Sequence, residues 1–324
     1  MDEPEHVLSL SYGKDSLACL GAIEELGWPL DRIIHAEVWA TDTIPADLPP
    51  MVEFKKKADR IIKERWGIEV EHVCATTTYE RCFYSPITKQ GEGFENRIGL
   101  NRGFPYQKGP WCQRDLKIAP MDAVRKKTFE RDIIYKIRSR GHRIGENVGW
   151  PMAKANECQN ELKISAIKTP GAIQYIGIAA DEPERFHDLS ETKKSPLVAA
   201  GWTEGMCRKW CEENDLLSPI YITAARGGCW FCHNQGVQQL RLLRHNYPEL
   251  WALMLKWDAD SPVLFKANGQ KVMDFERRFV LEDRLRIDTD VPGFRWEMLD
   301  KGIPDKYLIK AATSWIRKKE EQLK

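Results

Sequence analysis

Val7-Leu8-Ser9-Leu10-Ser11-Tyr12-Gly13-Lys14-Asp15-Ser16 decides how this chain is read. A short apolar run feeds a tight polar loop, and apolar residues recur at Leu17, Leu20, Ile23 and Leu26. The run predicts a strand over 7–10 and the spacing a helix over 15–26. A helix start offers unpaired backbone N–H groups and the positive end of a dipole. Ser11 and Ser16 add hydroxyls, Lys14 adds charge, and Gly13 lets a backbone approach an anion closely. The loop therefore proposes phosphate binding. The same residues also suit a glycine turn in which Ser or Asp caps a helix.

Moving outward, 33–39 (Ile33-Ile34-His35-Ala36-Glu37-Val38-Trp39) predicts a second strand. A helix follows from about Met51 to Trp66, behind the prolines at 45, 49 and 50, and Val70–Cys74 predicts a third strand. A βαβαβ run argues for a parallel sheet covered by helices, with ligands beyond the C-terminal strand ends. The 11–16 loop and Ala40-Thr41-Asp42-Thr43 both fall there. Residues 85–109 show little periodicity and read as a long loop or inserted lobe, and 112–127 as a helix. Residues 125–143 carry eight Lys or Arg against Glu130 and Asp132, which suits either a nucleic-acid face or a solvated helix face. Strand 174–178 and a Thr203-capped helix to Asn214 follow, then a Cys-bearing loop at 227–232. The remainder reads as mostly helical, near 237–257 and 305–322. The expected organisation is an α/β domain over 1–235, with insertions near 85–110 and 125–170, and a helical region over 236–324.

Composition narrows the class. The 324 residues are 42% hydrophobic and 30% charged, with a net charge of +1, so no global field draws in nucleic acid. No stretch approaches the length of an apolar membrane span, and the acidic start Met1-Asp2-Glu3-Pro4-Glu5 lacks a signal-peptide core, so a cytoplasmic protein without a membrane partner is expected. In that compartment the nine Cys read as core residues, metal ligands or reactive thiols. Cys229 and Cys232 form a Cys-x-x-Cys, a spacing that lets two thiolates reach one metal. Cys19, Cys74, Cys82 and Cys158 are expected to have no role.

Several segments, in order, resemble the PP-loop ATP-pyrophosphatase superfamily in its phosphoadenosine phosphosulfate (PAPS) reductase-like branch. Ser11-Tyr12-Gly13-Lys14-Asp15-Ser16 is similar to its PP-loop, and Thr41-Asp42-Thr43 to the motif after its second strand. Cys112-Gln113-Arg114-Asp115-Leu116-Lys117-Ile118-Ala119-Pro120 is similar to its Cys-x-x-Arg-x-x-Lys-x-x-Pro. Gly177-Ile178-Ala179-Ala180-Asp181-Glu182, Pro196-Leu197 with Trp202-Thr203-Glu204, Gly228-Cys229-Trp230-Phe231-Cys232 and Tyr247-Pro248-Glu249 complete the series. The family often has Arg where this chain has Ala179, with Arg185 a candidate substitute. Its reductases carry a C-terminal nucleophilic Cys, whereas this chain has no Cys after Cys232.

The resemblance implies an adenine nucleotide alpha-hydrolase-like (HUP/PP-loop) fold and cleavage of ATP between its α- and β-phosphates. It implies catalytic roles for Lys14, Asp15 and Asp42, with Mg²⁺ on the phosphates. Nucleotide contacts would come from Ser11, Tyr12, Gly13, Lys14, Asp15, Ser16, Asp42, Arg114, Lys117, Asp181 and Arg185. Arg114 and Lys117, three apart on a helix, would clamp phosphate or sulfate. A metal site would draw on Cys112, Cys207, Cys229 and Cys232, with Cys211 or His233 as other fourth ligands. It would hold a [4Fe–4S] cluster, or Zn²⁺. The acceptor expected for the activated or sulfurated product is nucleic acid, or the protein works with a sulfur-donor partner. An adenylyl-sulfate reductase using an external thiol, and a non-catalytic nucleotide sensor, are the alternatives.

Overall fold

A computed structural model describes residues 4–88, 95–106, 109–122, 172–185, 189, 192–222 and 227–285. The basic run at 125–143 and the helix expected near 305–322 lie outside them. The chain divides into two compact units. The first is Met1–Thr78 with Cys112–Tyr221, and the second Tyr79–Trp111 with Ile222–Lys324. The Cys229–Cys232 loop and residues 79–111 fall in the second unit.

The first unit is α/β around five parallel strands. They are β1 (His6–Ser9), β2 (Arg32–Glu37), β3 (Val70–Cys74), β4 (Ile173–Tyr175) and β5 (Lys193–Lys194), in the order β3-β2-β1-β4-β5. In β1 and β2 successive residues are buried, Val7 and Leu8 in one and Ile33, Ile34, His35 and Ala36 in the other, so both faces of these strands are covered. Helix α1 (Lys14–Leu26) buries Leu17, Leu20 and Ile23 at helical spacing and stops at Gly27, whose φ of 62° suits glycine. Helix α2 (Pro49–Trp66) starts on its prolines and buries Met51, Phe54, Ala58 and Ile62. The chain lays down β1, β2 and β3 to one side, then returns to place β4 on the other. The sheet's switch point therefore falls between β1 and β4, and β1 feeds α1 directly there.

Shorter helical elements follow in the chain. Helix α4 (Trp111–Gln113) runs into a π-helical turn over Arg114–Ile118. Helices α5 (Pro196–Ala200) and α6 (Glu204–Glu213) pack on α1. The second unit contains α3 (Tyr79–Tyr84), α7 (Val237–Asn246), α8 (Pro248–Asp260) and α9 (Val272–Leu285). Its interior is aromatic: Trp230 stacks on Trp257 at 5.6 Å and 12°, and Tyr79 lies 4.1 Å from Phe231 and 5.1 Å from Trp257. Among the described residues no helix is long and apolar enough to cross a membrane.

Candidate functional site

The loop between β1 and α1 closes on itself through its two serines. Ser16 Oγ accepts from the Ser11 N–H at 3.1 Å, lies 2.9 Å from Ser11 Oγ, and donates to the Gly13 carbonyl at 3.0 Å. Gly13 is the N-cap of α1 and has no side chain with which to cap it. The Lys14 N–H instead donates to the Tyr221 hydroxyl at 3.0 Å. At the end of β4, a Cβ on Gly177 would stand 2.6 Å from Ser16 N and 2.8 Å from the Asp15 carbonyl carbon. Only glycine lets the β4 loop approach the first turn of α1 so closely.

Lys14 is buried, and its ammonium pairs with Asp15 Oδ1 at 2.6 Å and Glu204 Oε2 at 3.1 Å. Burial opposes its charge, but the bonds to Asp15 and Glu204 outweigh it and raise its pKa. The Asp15 carboxyl is also raised, because burial outweighs the stabilisation by Lys14 and Glu204 and Glu182 add like charge. Two carboxylates thus share one ammonium at the mouth of the loop.

Tyr12 is the residue that breaks the local rule. Its φ is 56°, left-handed backbone that costs a non-glycine residue on the order of 1–2 kcal/mol. Its ring is fully buried, edge-on to His35 at 4.7 Å, with Lys55 Nζ 5.5 Å from its centroid. Its hydroxyl donates to Asp59 Oδ1 and lies 3.1 Å from His72 Nε2. His72 in turn bonds Asp59 Oδ2 and Glu37 Oε1, each at 2.9 Å. Two carboxylates on one imidazole, Asp59 foremost, raise its pKa to about 9.

The same network reaches Lys55. Its ammonium donates to His35 Nε2 at 2.8 Å, Glu37 Oε2 at 2.9 Å and Asp47 Oδ2 at 2.5 Å. With His35 Nε2 accepting, Nδ1 carries the proton and donates to the Leu10 carbonyl at 2.8 Å. Burial, then the neighbouring Lys55 charge, lowers the His35 pKa to about 4, so the ring is neutral. Burial opposes ionisation of Glu37, but His72 and Lys55 overcome it and bring that carboxyl to about 2. Among the described residues, His35, Glu37 and His72 form one group of three whose ligand atoms lie within 4.8 Å of one another. The Lys55 ammonium already fills the cation position between His35 and Glu37, so this group is satisfied as a charge network.

The other expected nucleotide residues are placed as follows. Asp42 lies in the turn after β2, but the turn is organised by Thr41, whose Oγ1 accepts from Ile44 N at 3.1 Å. Arg114 and Lys117 sit on the π-helical turn, whose larger number of residues per turn departs from the α-helical face expected for them. The exposed Arg114 guanidinium bonds Asp115 at 2.6 Å. Asp181 Oδ1 accepts from the Glu204 N–H at 2.9 Å and so caps α6 alongside Thr203. Arg185 pairs with Glu182 at 2.7 Å. Ala179 is fully buried, so an Arg would not fit in its place.

The cysteines divide between the units: Cys112 and Cys207 in the first, Cys229 and Cys232 in the second. Cys207 lies in the hydrophobic core with Cys19 and Cys211 rather than at an open ligand position. Burial raises its pKa to about 12 and raises that of Cys211, whose thiol donates to the Lys14 carbonyl at 3.2 Å. Both are thiols at neutral pH, whereas metal ligation needs thiolate. In the second unit, Cys232 N–H donates to the Cys229 carbonyl at 3.0 Å and Gln235 Nε2 to the same carbonyl at 2.9 Å. Trp230 and Phe231 between the two cysteines are buried in the aromatic interior, and His233 is buried beside them. Lys266 Nζ donates to the carbonyls of His233 and Gln235, and burial lowers its pKa to about 8.

Sequence reasoning did not find His35, Glu37, Lys55, Asp59 and His72, nor Glu204, Gly177 and Tyr221 as partners of the loop. The available signal was charge on strands: His35 and Glu37 share one face of β2, and His72 pairs with His35 in register on β3. Lys55 and Asp59 lie four apart on α2, on the turn that faces them.

Fold and site together define an α/β parallel-sheet protein with a polar loop at the start of the helix that follows its central strand. Compared with family models, curated proteins and solved structures, the chain matches none.

Proposed function

We propose that the first unit binds the phosphate end of ATP or a related adenine nucleotide at Ser11–Ser16 and cleaves between the α- and β-phosphates. The carrying observation is the placement of this loop at the switch point of a β3-β2-β1-β4-β5 parallel sheet, with Gly177 cleared for close approach. The resemblance of the ordered motifs to PP-loop enzymes supports the same reading. In the proposed reaction an acceptor oxygen attacks the α-phosphorus. The bond from that phosphorus to the bridging oxygen breaks, and pyrophosphate leaves with the electron pair. Lys14 would turn from Asp15 and Glu204 to the phosphates and offset their charge. Asp15 and Asp42 are oxygen donors of the class that Mg²⁺ takes, and the partly buried Asp15 would be held ionised by such a cation. Mg²⁺, when bound, supplies charge neutralisation on the phosphate oxygens. Cys229 and Cys232 suit two ligands of a soft metal, [4Fe–4S] or Zn²⁺, but buried Cys207 does not fit as the fourth, and no step is routed through that site.

The acceptor proposed is nucleic acid, activated as an adenylylated intermediate for attack by a nucleophile such as sulfur. Incubating the full chain with ATP, Mg²⁺ and single- or double-stranded nucleic acid should release pyrophosphate. Lys14→Met should slow that release about 10²-fold, as for loss of one preorganised charge donor. Nucleotide binding without pyrophosphate or AMP, whatever the acceptor, would overturn the enzyme reading in favour of a nucleotide sensor. The engagement of Lys14 by two carboxylates is what favours that rival.

A further inference from the structure

Tyr12 sits inside the Ser11–Ser16 loop, yet its hydroxyl and ring are engaged by a set of titratable groups that the proposed reaction does not use. Those groups come from every element packed around its ring. Strand β2 supplies His35 and Glu37, β3 supplies His72, α2 supplies Lys55 and Asp59, and the turn after β2 supplies Asp47. One carboxylate, Asp59, is shared: Oδ1 accepts a hydrogen bond from the Tyr12 hydroxyl and Oδ2 accepts one from His72 Nε2–H. His72 is held in turn by Glu37 through Nδ1, and Glu37 by Lys55. The ring is therefore fixed by its edge, its face and its hydroxyl at once. A non-glycine residue persists in left-handed backbone only where its surroundings over-determine it. The residue next along is Gly13, the N-cap of α1, and the next is Lys14.

We propose that Tyr12 is the positioning residue of the phosphate loop: its phenol, fixed by Asp59 and His72, holds the backbone left-handed and sets where the Gly13 and Lys14 amides stand. The ligand class is a di- or triphosphate, and this inference rests on the phosphate reading above. Loop order is then stored in the α2 and β3 side chains rather than in the loop's own glycine. A Gly at position 12 would reach the same φ but would also reach many others.

The test uses Tyr12→Phe, which keeps the ring and removes the hydroxyl, Asp59→Asn, which keeps the shape and removes the charge, and the double variant. Two quantities are read on folded full-length protein. One is amide hydrogen exchange at Gly13 and Lys14 without ligand. The other is the dissociation constant for inorganic pyrophosphate with Mg²⁺. Each single variant should speed exchange at these amides by roughly tenfold, the scale of one lost hydrogen bond, while exchange in β1 and β2 stays as in the wild type. Each should weaken pyrophosphate binding by a similar factor, and the double variant should be no worse than either single one. Wild-type exchange at Gly13 and Lys14 in both single variants overturns the proposal. So does full additivity in the double variant, the result expected of two merely structural residues. If wild-type protein binds neither pyrophosphate nor ATP, the phosphate reading fails, and the exchange measurement still decides whether Tyr12 orders the loop.

Discussion

The Ser11–Ser16 loop of the first unit and the Cys229–Gln235 loop of the second are both short loops, yet they are held by opposite means. The first is fixed from behind by ions: Asp59, His72, Glu37, Lys55 and Asp47 around one tyrosine. The second is fixed by rings, with Trp230 and Phe231 buried against Trp257 and Tyr79, and by one lysine on two carbonyls. Charge networks set geometry sharply but answer to pH, whereas aromatic packing answers to volume. The difference teaches that the two loops should fail under different insults.

The largest expected effect breaks the aromatic side. Trp257 is fully buried, and its Nε1–H donates to Glu80 at 3.1 Å. Trp257→Ala should cost about 3–5 kcal/mol of stability, read by urea denaturation. Amide exchange of the Ser11–Ser16 loop should stay unchanged if the two units unfold separately. A Gly177→Ala change does the converse. Its methyl would stand 2.6 Å from Ser16 N, a backbone atom that cannot swing aside. The cost should be about 1–3 kcal/mol, with the loss of protection centred on the first turn of α1. A fully stable Gly177→Ala protein would mean that the β4 loop does not press on α1.

Raising the pH sharpens the comparison, because the two loops should respond with opposite signs. His72 is raised in the fold to about 9, so it binds a proton more tightly there than in the unfolded chain. Its stabilisation is complete below the ordinary histidine value and is lost as pH rises through about 9. Lys266 is lowered by burial to about 8, so between there and the ordinary lysine range the unfolded chain holds the extra proton. Stability should then rise with pH across that window. His72→Gln should abolish the fall and Lys266→Met the rise, each read from urea midpoints across pH 6–10 (a range of about four units chosen to span both pKa values). On the acid side, neutral His35 and ionised Glu37 both lose stabilisation. That of His35 fades from its ordinary value down through about 4, and that of Glu37 on the way to about 2.

How much of this was legible depended on whether a contact was local. The strand–loop–helix at the N-terminus was readable because Leu17, Leu20 and Ile23 repeat at helical spacing beside an apolar run, and Val70–Cys74 is found where it was expected. Thr203 announced the helix it caps. Strand β5 was missed because Lys193–Lys194 is a two-residue, exposed edge with no apolar pattern. Helix α3 was missed because its six residues, between the strand ending at Cys74 and the loop read from 85, are too few to show a helical period. Tyr12 itself was picked as part of the loop, but its partners Asp59 and His72 lie 47 and 60 residues away, beyond any periodicity. The cysteines show the same limit: Cys207 and Cys211 look alike as ligands or as core residues until packing against α1 separates the two.

The smallest expected effect concerns Asp181, which the motifs assign to nucleotide and the fold uses as a cap. Its Oδ1 accepts the Glu204 N–H, the first amide of α6, while Thr203 Oγ1 accepts from Met206 N at 3.4 Å. Thr203→Ala or Asp181→Ala should therefore each cost about 1 kcal/mol, the scale of a lost helix cap. Glu204 also meets Lys14 at 3.1 Å, so freeing the start of α6 loosens one of the two carboxylates on that ammonium. If Asp181 acts only through α6, both variants should change pyrophosphate affinity by the same small factor. A loss confined to Asp181→Ala and larger than its loss of stability would mean that the carboxylate meets the ligand itself. That result would move Asp181 from the frame of the first unit into the phosphate site.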